Sequence, residues 1–99
     1  SGVRAGDRIL FVRALENDAG LSRLGLAVGR GAGGSVQRSR LRRLIREAFR
    51  LNRKDLPTGL DLLVSPRKGA ASAPLEDLAA SLVSLAGRVA AELKESKGR

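Results

Sequence analysis

The chain has 99 residues, of which 42% are apolar and 29% are charged, and it contains no cysteine and no histidine. This length allows one modest hydrophobic core, so the sequence predicts a single domain over residues 1–99 and no small-molecule substrate. The residue types present exclude thiol catalysis, serine–histidine–aspartate catalysis and the common structural zinc sites. Since there is neither an apolar run of about 18 residues nor a signal-peptide pattern, we expect a cytoplasmic protein that spans no membrane.

The charge of the chain is concentrated in one segment. Basic residues outnumber acidic residues by 19 to 10, which gives a net charge of +9. Eight basic residues and one acidic residue lie from Arg38 to Lys54, so this segment carries +7 and the remainder +2. Fifteen of the basic residues are arginine, whose planar guanidinium binds phosphate with two hydrogen bonds and stacks on bases. The segment is therefore predicted to bind a polyanion, either nucleic acid or an acidic membrane surface.

The N-terminal third of the chain predicts strands. Residues 8–15 and 21–29 are rich in apolar side chains, and residues 16–20 between them have the composition of a turn. We interpret these segments as a β-hairpin, with residues 3–4 as a candidate for a short preceding strand. The glycine-rich segment Gly29–Gly34 predicts a flexible loop, because it matches neither the Walker A pattern nor the dinucleotide-binding pattern.

An amphipathic helix is predicted next, with its N-cap at Ser35 and its end near Arg53. At about 100° per residue, the apolar side chains form one stripe and the arginines occupy the opposite arc. The stripe consists of Leu41, Leu44, Ile45, Ala48 and Phe49. Asn52 falls on the apolar side, so either the helix ends before it or its amide bonds to a neighbouring backbone group.

The remaining chain predicts one strand and one helix. Residues 60–65 predict a buried strand, which forms a βαβ unit with the preceding strand and helix and pairs in parallel. Pro66–Gly69 is a basic turn, and a second amphipathic helix begins at Pro74. We expect the core to lie within residues 3–93 and the tail at residues 95–99 to be frayed.

The predicted binding site for a polyanion is the arginine side of the first helix. Like charges four residues apart destabilise an isolated helix, so these arginines require an anionic partner, although a merely solvated helix face is the alternative. The predicted RNA-binding residues are Arg38, Arg40, Arg42, Arg43, Arg46, Arg50 and Arg53. The acidic residues form no spaced pair or triad, so we expect no catalytic residue, no metal ligand and no cofactor bound by the protein alone.

Four residues outside this helix are candidates for secondary contacts with nucleic acid. Arg67 and Lys68 follow the last predicted strand, where an ordinary charged turn is the alternative. Phe11 is either a core residue or a stacking platform on an open sheet face, and the sequence leaves both possibilities open. Arg30, in the glycine-rich segment, completes this second set.

The segment from Arg38 to Arg53 resembles the arginine-rich signature helix of the bacterial ribonuclease P protein subunit. The matching motifs are Arg38-Ser39-Arg40, Arg42-Arg43, Arg46-Glu47-Ala48-Phe49-Arg50 and Leu51-Asn52-Arg53. Residues 23–28 and 56–67 look like the strands that flank this helix, and the resemblance covers residues 3–93. The family usually has asparagine where this chain has Ser39, and more lysine and arginine where this chain has Gly31–Gly34. These departures imply weaker or shifted affinity for the RNA partner.

The resemblance implies an α+β fold, a mixed αβ sandwich with a left-handed crossover. It further implies that ribonuclease P RNA is the partner, that precursor tRNA is the substrate, and that its 5′ leader is removed endonucleolytically. The RNA and its magnesium ions would carry the chemistry, and the protein would extend contacts to the leader. Family members begin with a further helix that bears aromatic residues, and this sequence starts after it. With ribonuclease P RNA as the partner, no membrane partner is expected. The main alternative function is an RNA-binding module of another ribonucleoprotein particle, and the third hypothesis is a basic protein that binds membrane surfaces.

Overall fold

The computed structural model describes residues 2–97, with side chains through residue 95. Its four strands are β1 (Val3–Gly6), β2 (Leu10–Glu16), β3 (Arg23–Leu26) and β4 (Leu60–Pro66), and its helices are α1 (Ser35–Leu51) and α2 (Leu75–Lys97). The strands form one mixed sheet, and both helices pack on the same face of it. This arrangement confirms the predicted α+β fold class. None of the described helices combines the length and the apolarity that crossing a membrane requires.

The order of the strands in the sheet is β1-β2-β4-β3, which corrects the predicted hairpin. β2 forms its hairpin with β1, while β4 lies between β2 and β3, antiparallel to β2 and parallel to β3. The predicted short first strand and the predicted parallel βαβ unit are therefore confirmed, but the pairing of residues 8–15 with 21–29 is wrong. The physical reason lies at the end of β2. Asn17 N donates to Gly59 O at 2.9 Å. The pairing of β2 with β4 therefore extends past the end of β2, so the turn after β2 does not fold the next strand back onto it.

The hydrophobic core lies between the sheet and the two helices. Alternate residues of β2 and β4 point into it, each at most 5% exposed: Leu10, Val12, Ala14, Leu60, Leu62 and Val64. Helix α1 buries Leu41, Ile45, Ala48 and Phe49, and α2 buries Leu78, Leu82, Leu85, Ala86 and Val89. The predicted apolar stripes of both helices are confirmed, with Leu44 only partly buried at the margin.

The two ends of α1 are closed by side chains. Its N-cap is Gly34, not Ser35 as predicted, because the Gln37 side chain reaches back and accepts a hydrogen bond from Gly34 N at 3.2 Å. At the other end, the backbone N and the Nδ2 of Asn52 both donate to the carbonyl of Ala48, at 3.2 and 2.8 Å. Both interpretations of Asn52 therefore hold, since the helix ends at Leu51 and the amide bonds to the backbone.

Two segments are more regular than predicted. The glycine-rich segment contains a 3-10 turn at Arg30–Ala32, in which Gly33 N donates to Arg30 O at 3.1 Å. Helix α2 continues to Lys97, past residue 95 where the frayed tail is predicted to begin, and the fraying itself stays a prediction. Each added residue extends an existing helix by one hydrogen bond, and glutamate and lysine are good helix formers. The prediction for residues 98 and 99 lies outside the described residues.

The turn between β1 and β2 is tied to α2 by one carboxylate. Asp7 Oδ1 accepts hydrogen bonds from Ile9 N and Leu10 N, both at 2.8 Å, and Oδ2 accepts one from the Ser81 hydroxyl at 2.6 Å. Burial raises the pKa of the Asp7 carboxyl, but the hydrogen bonds from Ser81 and the two backbone amides together lower that pKa below its ordinary value of 3.8. The ionised carboxylate thus joins the sheet to a helix.

Replacement of Ile45 by alanine is expected to destabilise the fold by about 2–4 kcal/mol, because its buried side chain leaves a cavity. Ile45 is 0% exposed, whereas the adjacent Arg46 is exposed and makes no described core contact. The matched control Arg46→Ala should leave the free energy of unfolding nearly unchanged. Urea unfolding of both variants measures the difference, and equal losses would contradict the orientation of α1.

Replacement of Asp7 by asparagine is expected to lower the free energy of unfolding at neutral pH and to flatten its acid dependence. The folded-state pKa lies below the ordinary 3.8. The carboxylate therefore stabilises the fold at pH values above its ordinary pKa. This stabilisation is lost as the pH falls through the lower folded-state pKa. Urea unfolding at neutral pH and at about pH 3 should show the two proteins converging in acid. A difference that stays constant with pH would contradict the assignment.

Candidate nucleic-acid interface

The arginines of α1 lie on the side of the helix that faces away from the sheet. Three of the predicted residues on α1 are exposed, namely Arg43, Arg46 and Arg50, and three are partly buried, namely Arg38, Arg40 and Arg42. Arg53, also exposed, follows in a 3-10 turn at Arg53–Asp55. Residues three and four apart are neighbours on a helix surface, so the exposed guanidinium groups form a continuous row. We call Arg43, Arg46, Arg50 and Arg53 the arginine row.

Two members of this row also contact their own protein. Arg50 donates to both carboxylate oxygens of Glu47, at 2.7 and 3.0 Å, and this hydrogen bonding lowers the pKa of the Glu47 carboxyl. Arg53 lies over the ring of Phe49, with its guanidinium carbon 5.1 Å from the ring centre. Arg43 and Arg46 are consequently the members whose charge is least engaged by the described residues.

The partly buried arginines differ from one another. Arg40 Nη2 donates to the carbonyl of Ala73 at 3.3 Å, which fixes the first turns of α1 beside the loop that follows β4. The Nε of Arg38 is buried and has no hydrogen-bond partner among the described residues. A buried polar group without a partner costs stability, and because this Nε is buried it is not accessible to a ligand in this conformation.

Basic residues from three separate parts of the chain meet at one edge of the sheet. The parallel strands β3 and β4 end at this edge, and the antiparallel β2 begins there. Arg30 follows β3, Arg67 and Lys68 follow β4, and Arg8 precedes β2, and all four are exposed. We call these four residues the basic edge. Sequence analysis missed Arg8, because only the strand order brings it to the others.

Phe11 lies on the sheet face that the helices leave uncovered. It alternates along β2 with the buried Leu10 and Val12 and is itself half-buried. The guanidinium carbon of Arg67 lies 5.2 Å from the centre of its ring. A core position for Phe11 is thereby excluded, and the stacking platform remains as its predicted role. Arg13, exposed on the same face, was missed, although the alternation over residues 10–15 signals its position.

A shallow pocket of about 470 Å³ lies further along this open face. Leu15 and Leu63 contribute apolar surface to it. At its rim, Arg23 donates to both oxygens of Asp61, at 2.7 and 2.9 Å, and Asn17 Nδ2 donates to Asp61 at 2.8 Å. Hydrogen bonds from Arg23 and Asn17 lower the pKa of the Asp61 carboxyl. Asp61 therefore acts as an ionised anchor for two neighbouring side chains.

The carboxylates are dispersed over the described part of the chain. Asp7, Glu47 and Asp61 lie in three different places, and within residues 2–95 no three histidine, cysteine, aspartate or glutamate side chains form a group able to hold a metal ion. A magnesium site requires several oxygen ligands around one point. That the protein alone holds no metal stays a prediction.

The comparisons of this chain with known proteins all indicate the same family. The family model described as Ribonuclease P matches residues 1–90. The ribonuclease P protein component of Lachnoclostridium phytofermentans is 33% identical over 86 residues, which cover 87% of this chain and 74% of that protein.

Solved structures resemble the fold as well. The RNase P protein from Thermotoga maritima is similar with a TM-score of 0.83 at 30% identity, over 90% of this chain and 84% of that one. A Staphylococcus aureus RNase P protein, a mutant with defective mRNA degradation activity, gives a TM-score of 0.75 at 26% identity, over 86% of this chain and 72% of that one.

Neutralising α1 is expected to weaken the salt dependence of RNA binding. Each phosphate that an arginine neutralises releases counterions, so the combined change of Arg42, Arg46 and Arg50 to glutamine should reduce the log–log salt slope by up to about 2 units. Filter binding of a structured RNA over a range of salt concentrations measures the slope. The matched control changes Arg4, Arg88 and Lys94, three exposed basic residues on β1 and α2, to glutamine. An equal reduction in both variants would mean that only the net charge matters.

Proposed function

This chain belongs to the ribonuclease P protein family, and we propose that it binds ribonuclease P RNA and assists the removal of the 5′ leader from precursor tRNA. Family membership makes it a protein component of ribonuclease P and thus an accessory subunit of an endoribonuclease. The observation that carries the finer proposal is the arginine row on a helix whose other side is locked into the core. A cytoplasmic place of action belongs to the same proposal.

Docking on the RNA is assigned to α1. The arginine row extends from Arg43 to Arg53, which corresponds to about 15 Å along a helix axis. This length suits contacts with several successive phosphates, and guanidinium groups bind phosphate oxygens with paired hydrogen bonds. Arg38, which is partly buried, lies near the start of the same helix.

Contact with the 5′ leader is assigned to the basic edge and to Phe11. The basic edge lies beside the start of α1 and also borders the open sheet face, because Arg67 belongs to the edge and lies over the Phe11 ring. Single-stranded RNA is typically bound by a positive surface that follows its backbone and by aromatic rings on which its bases stack. We therefore place the leader on a path from α1 across Arg30, Arg67 and Lys68 to Phe11.

The chemistry of cleavage is assigned to the RNA partner. Magnesium ions held by that RNA would supply an activated water for attack on the phosphodiester. The side chains of this protein are assigned to binding and positioning, and three of its carboxylates are held by hydrogen bonds from other side chains. Asp7 is bonded to Ser81, Glu47 to Arg50 and Asp61 to Arg23.

A processing assay tests this function. Added to a bacterial ribonuclease P RNA, the protein should lower the magnesium concentration needed for cleavage of precursor tRNA at its mature 5′ end. The variant with glutamine at positions 42, 46 and 50 should lose this effect, and the variant with glutamine at positions 4, 88 and 94 should keep it. Tight binding to the RNA without any effect on cleavage would instead favour a role in another ribonucleoprotein particle.

The protein by itself is expected to cleave no phosphodiester bond, and no single carboxylate should be essential to the complex. The changes Asp7→Asn, Glu47→Gln and Asp61→Asn should each leave the single-turnover rate constant at saturating protein within a few-fold of the parent. Because the Staphylococcus aureus structure is that of a mutant described as defective in mRNA degradation activity, the protein-alone assay should include an mRNA as well as precursor tRNA. A loss of about a thousandfold in one variant, with fold and RNA affinity intact, would place a catalytic group on the protein.

A further inference from the structure

We propose that Gly6 and Asp7 are positioning residues that hold the Arg67 guanidinium across the Phe11 ring, where it forms a flat surface on which a base of single-stranded RNA stacks. The proposal rests on the leader path assigned above and adds the residues that build its stacking surface. It is carried by three observations on the β1–β2 hairpin and the end of β4.

The first observation is the space above Gly6. Gly6 lies directly opposite Phe11 in the β1–β2 register. A Cβ atom at position 6 would lie 3.1 Å from Arg67 Nη2, 3.1 Å from Phe11 Cδ1 and 3.2 Å from Arg67 Cζ. These distances are shorter than ordinary van der Waals contacts, so any side chain at this position must displace a neighbour. Glycine is required here by the close approach of two side chains, not by its backbone angles.

The neighbour that must move is Arg67. Phe11 is half-buried and belongs to a strand that is paired on both sides, with Gly6 on one side and Ser65 on the other. Arg67 is exposed, and its long side chain can swing into solvent. A methyl group at position 6 requires its neighbours to give by a few tenths of an ångström, and we expect the flexible guanidinium to move away from the ring while the paired strand holds the ring in place.

The second observation is the anchoring of Arg67 to the β1–β2 turn. Arg67 Nη1 donates to the carbonyl of Asp7 at 3.3 Å, and Arg67 N donates to the carbonyl of Ile9 at 2.8 Å. The Asp7 carbonyl is itself held in place, since the Asp7 side chain bonds to Ile9 N, Leu10 N and the Ser81 hydroxyl. The contacts from α2 through the turn thus determine where the guanidinium lies.

The third observation is the cation–π contact itself. With its guanidinium carbon 5.2 Å from the ring centre, Arg67 lies over one side of Phe11 and is still exposed to solvent. A base that approaches this place meets the guanidinium before it meets the ring. Guanidinium planes stack on bases and add a charge that attracts the neighbouring phosphate, so the pair offers both attractions in one preformed surface.

The test compares Gly6→Ala with Gly25→Ala in the full chain. Gly25 also lies in the sheet, but a Cβ there would have Leu63 Cδ1 as its nearest neighbour, at an ordinary contact distance of 3.4 Å. NMR should show ring-current shifts of the Arg67 side-chain protons in the parent and in Gly25→Ala, and their loss in Gly6→Ala. Both variants should keep the parent's affinity for ribonuclease P RNA, because α1 is untouched.

The functional measurement is the affinity of the protein–RNA complex for precursor tRNA with its leader, divided by its affinity for mature tRNA. Gly6→Ala should reduce this ratio about fivefold or more, the range of one lost base-stacking contact. Arg67→Ala should reduce it equally, and combining the two changes should add nothing. Arg67→Lys, which keeps the charge but not the plane, should lose the same contact and provides the test should Gly6→Ala fold poorly.

Each contrary result has a separate meaning. Ring-current shifts that persist in Gly6→Ala overturn the positioning role of Gly6. A parent-like affinity ratio in Arg67→Lys, or in a Gly6→Ala variant that has lost the stack, overturns the stacking surface while the leader path stands. A parent complex with no preference for leader-bearing tRNA overturns both the leader path and the stacking surface, and the processing assay then decides the docking function independently.

Discussion

The burial of the apolar side of α1 is the constraint on which the rest of this structure depends. Leu41 and Ile45 are 2% and 0% exposed, so the helix cannot rotate about its axis without leaving a cavity in the core. This packing fixes the direction in which the arginine row points. It also offsets the repulsion among like charges on one helix, which the protein itself relieves chiefly through the Glu47–Arg50 pair. The core thus holds a charged surface in a form that suits a polyanion.

The parallel pairing of β3 with β4 extends this positive surface from the helix to the sheet. Two parallel strands end at the same edge, and α1 must begin there because it connects them. The residues after each strand and the first arginines of the helix consequently meet, although they are far apart in the chain. Converging positive charges attract a polyanion from a distance and increase its rate of association. The topology of the sheet therefore contributes to this positive surface as directly as the composition does.

The uncovered sheet face owes its character to small neighbours and to one well-anchored turn. Gly6 and Ser65 flank Phe11 on the adjacent strands, which leaves the ring accessible and makes room for Arg67. Asp7 connects the same turn to α2 through Ser81. The Asp7–Ser81 contact, on the side of the sheet that faces the helices, thereby determines the geometry of the Phe11–Arg67 pair on the opposite face.

The sequence by itself determined both helices, their apolar stripes, the arginine side of α1 and the presence of four strands. These features follow from residues one to four positions apart, and such short-range patterns are visible in any single chain. The strand order, the open-face position of Phe11, the basic edge with Arg8 and the stacking of Arg67 were decided only by the tertiary structure. Strand pairing joins residues such as Asn17 and Gly59, which are distant in the chain, and its choice depends on the whole core. For that reason the turn-like composition of residues 16–20 predicted a hairpin between the strands on either side, whereas in the fold β4 lies between those two strands.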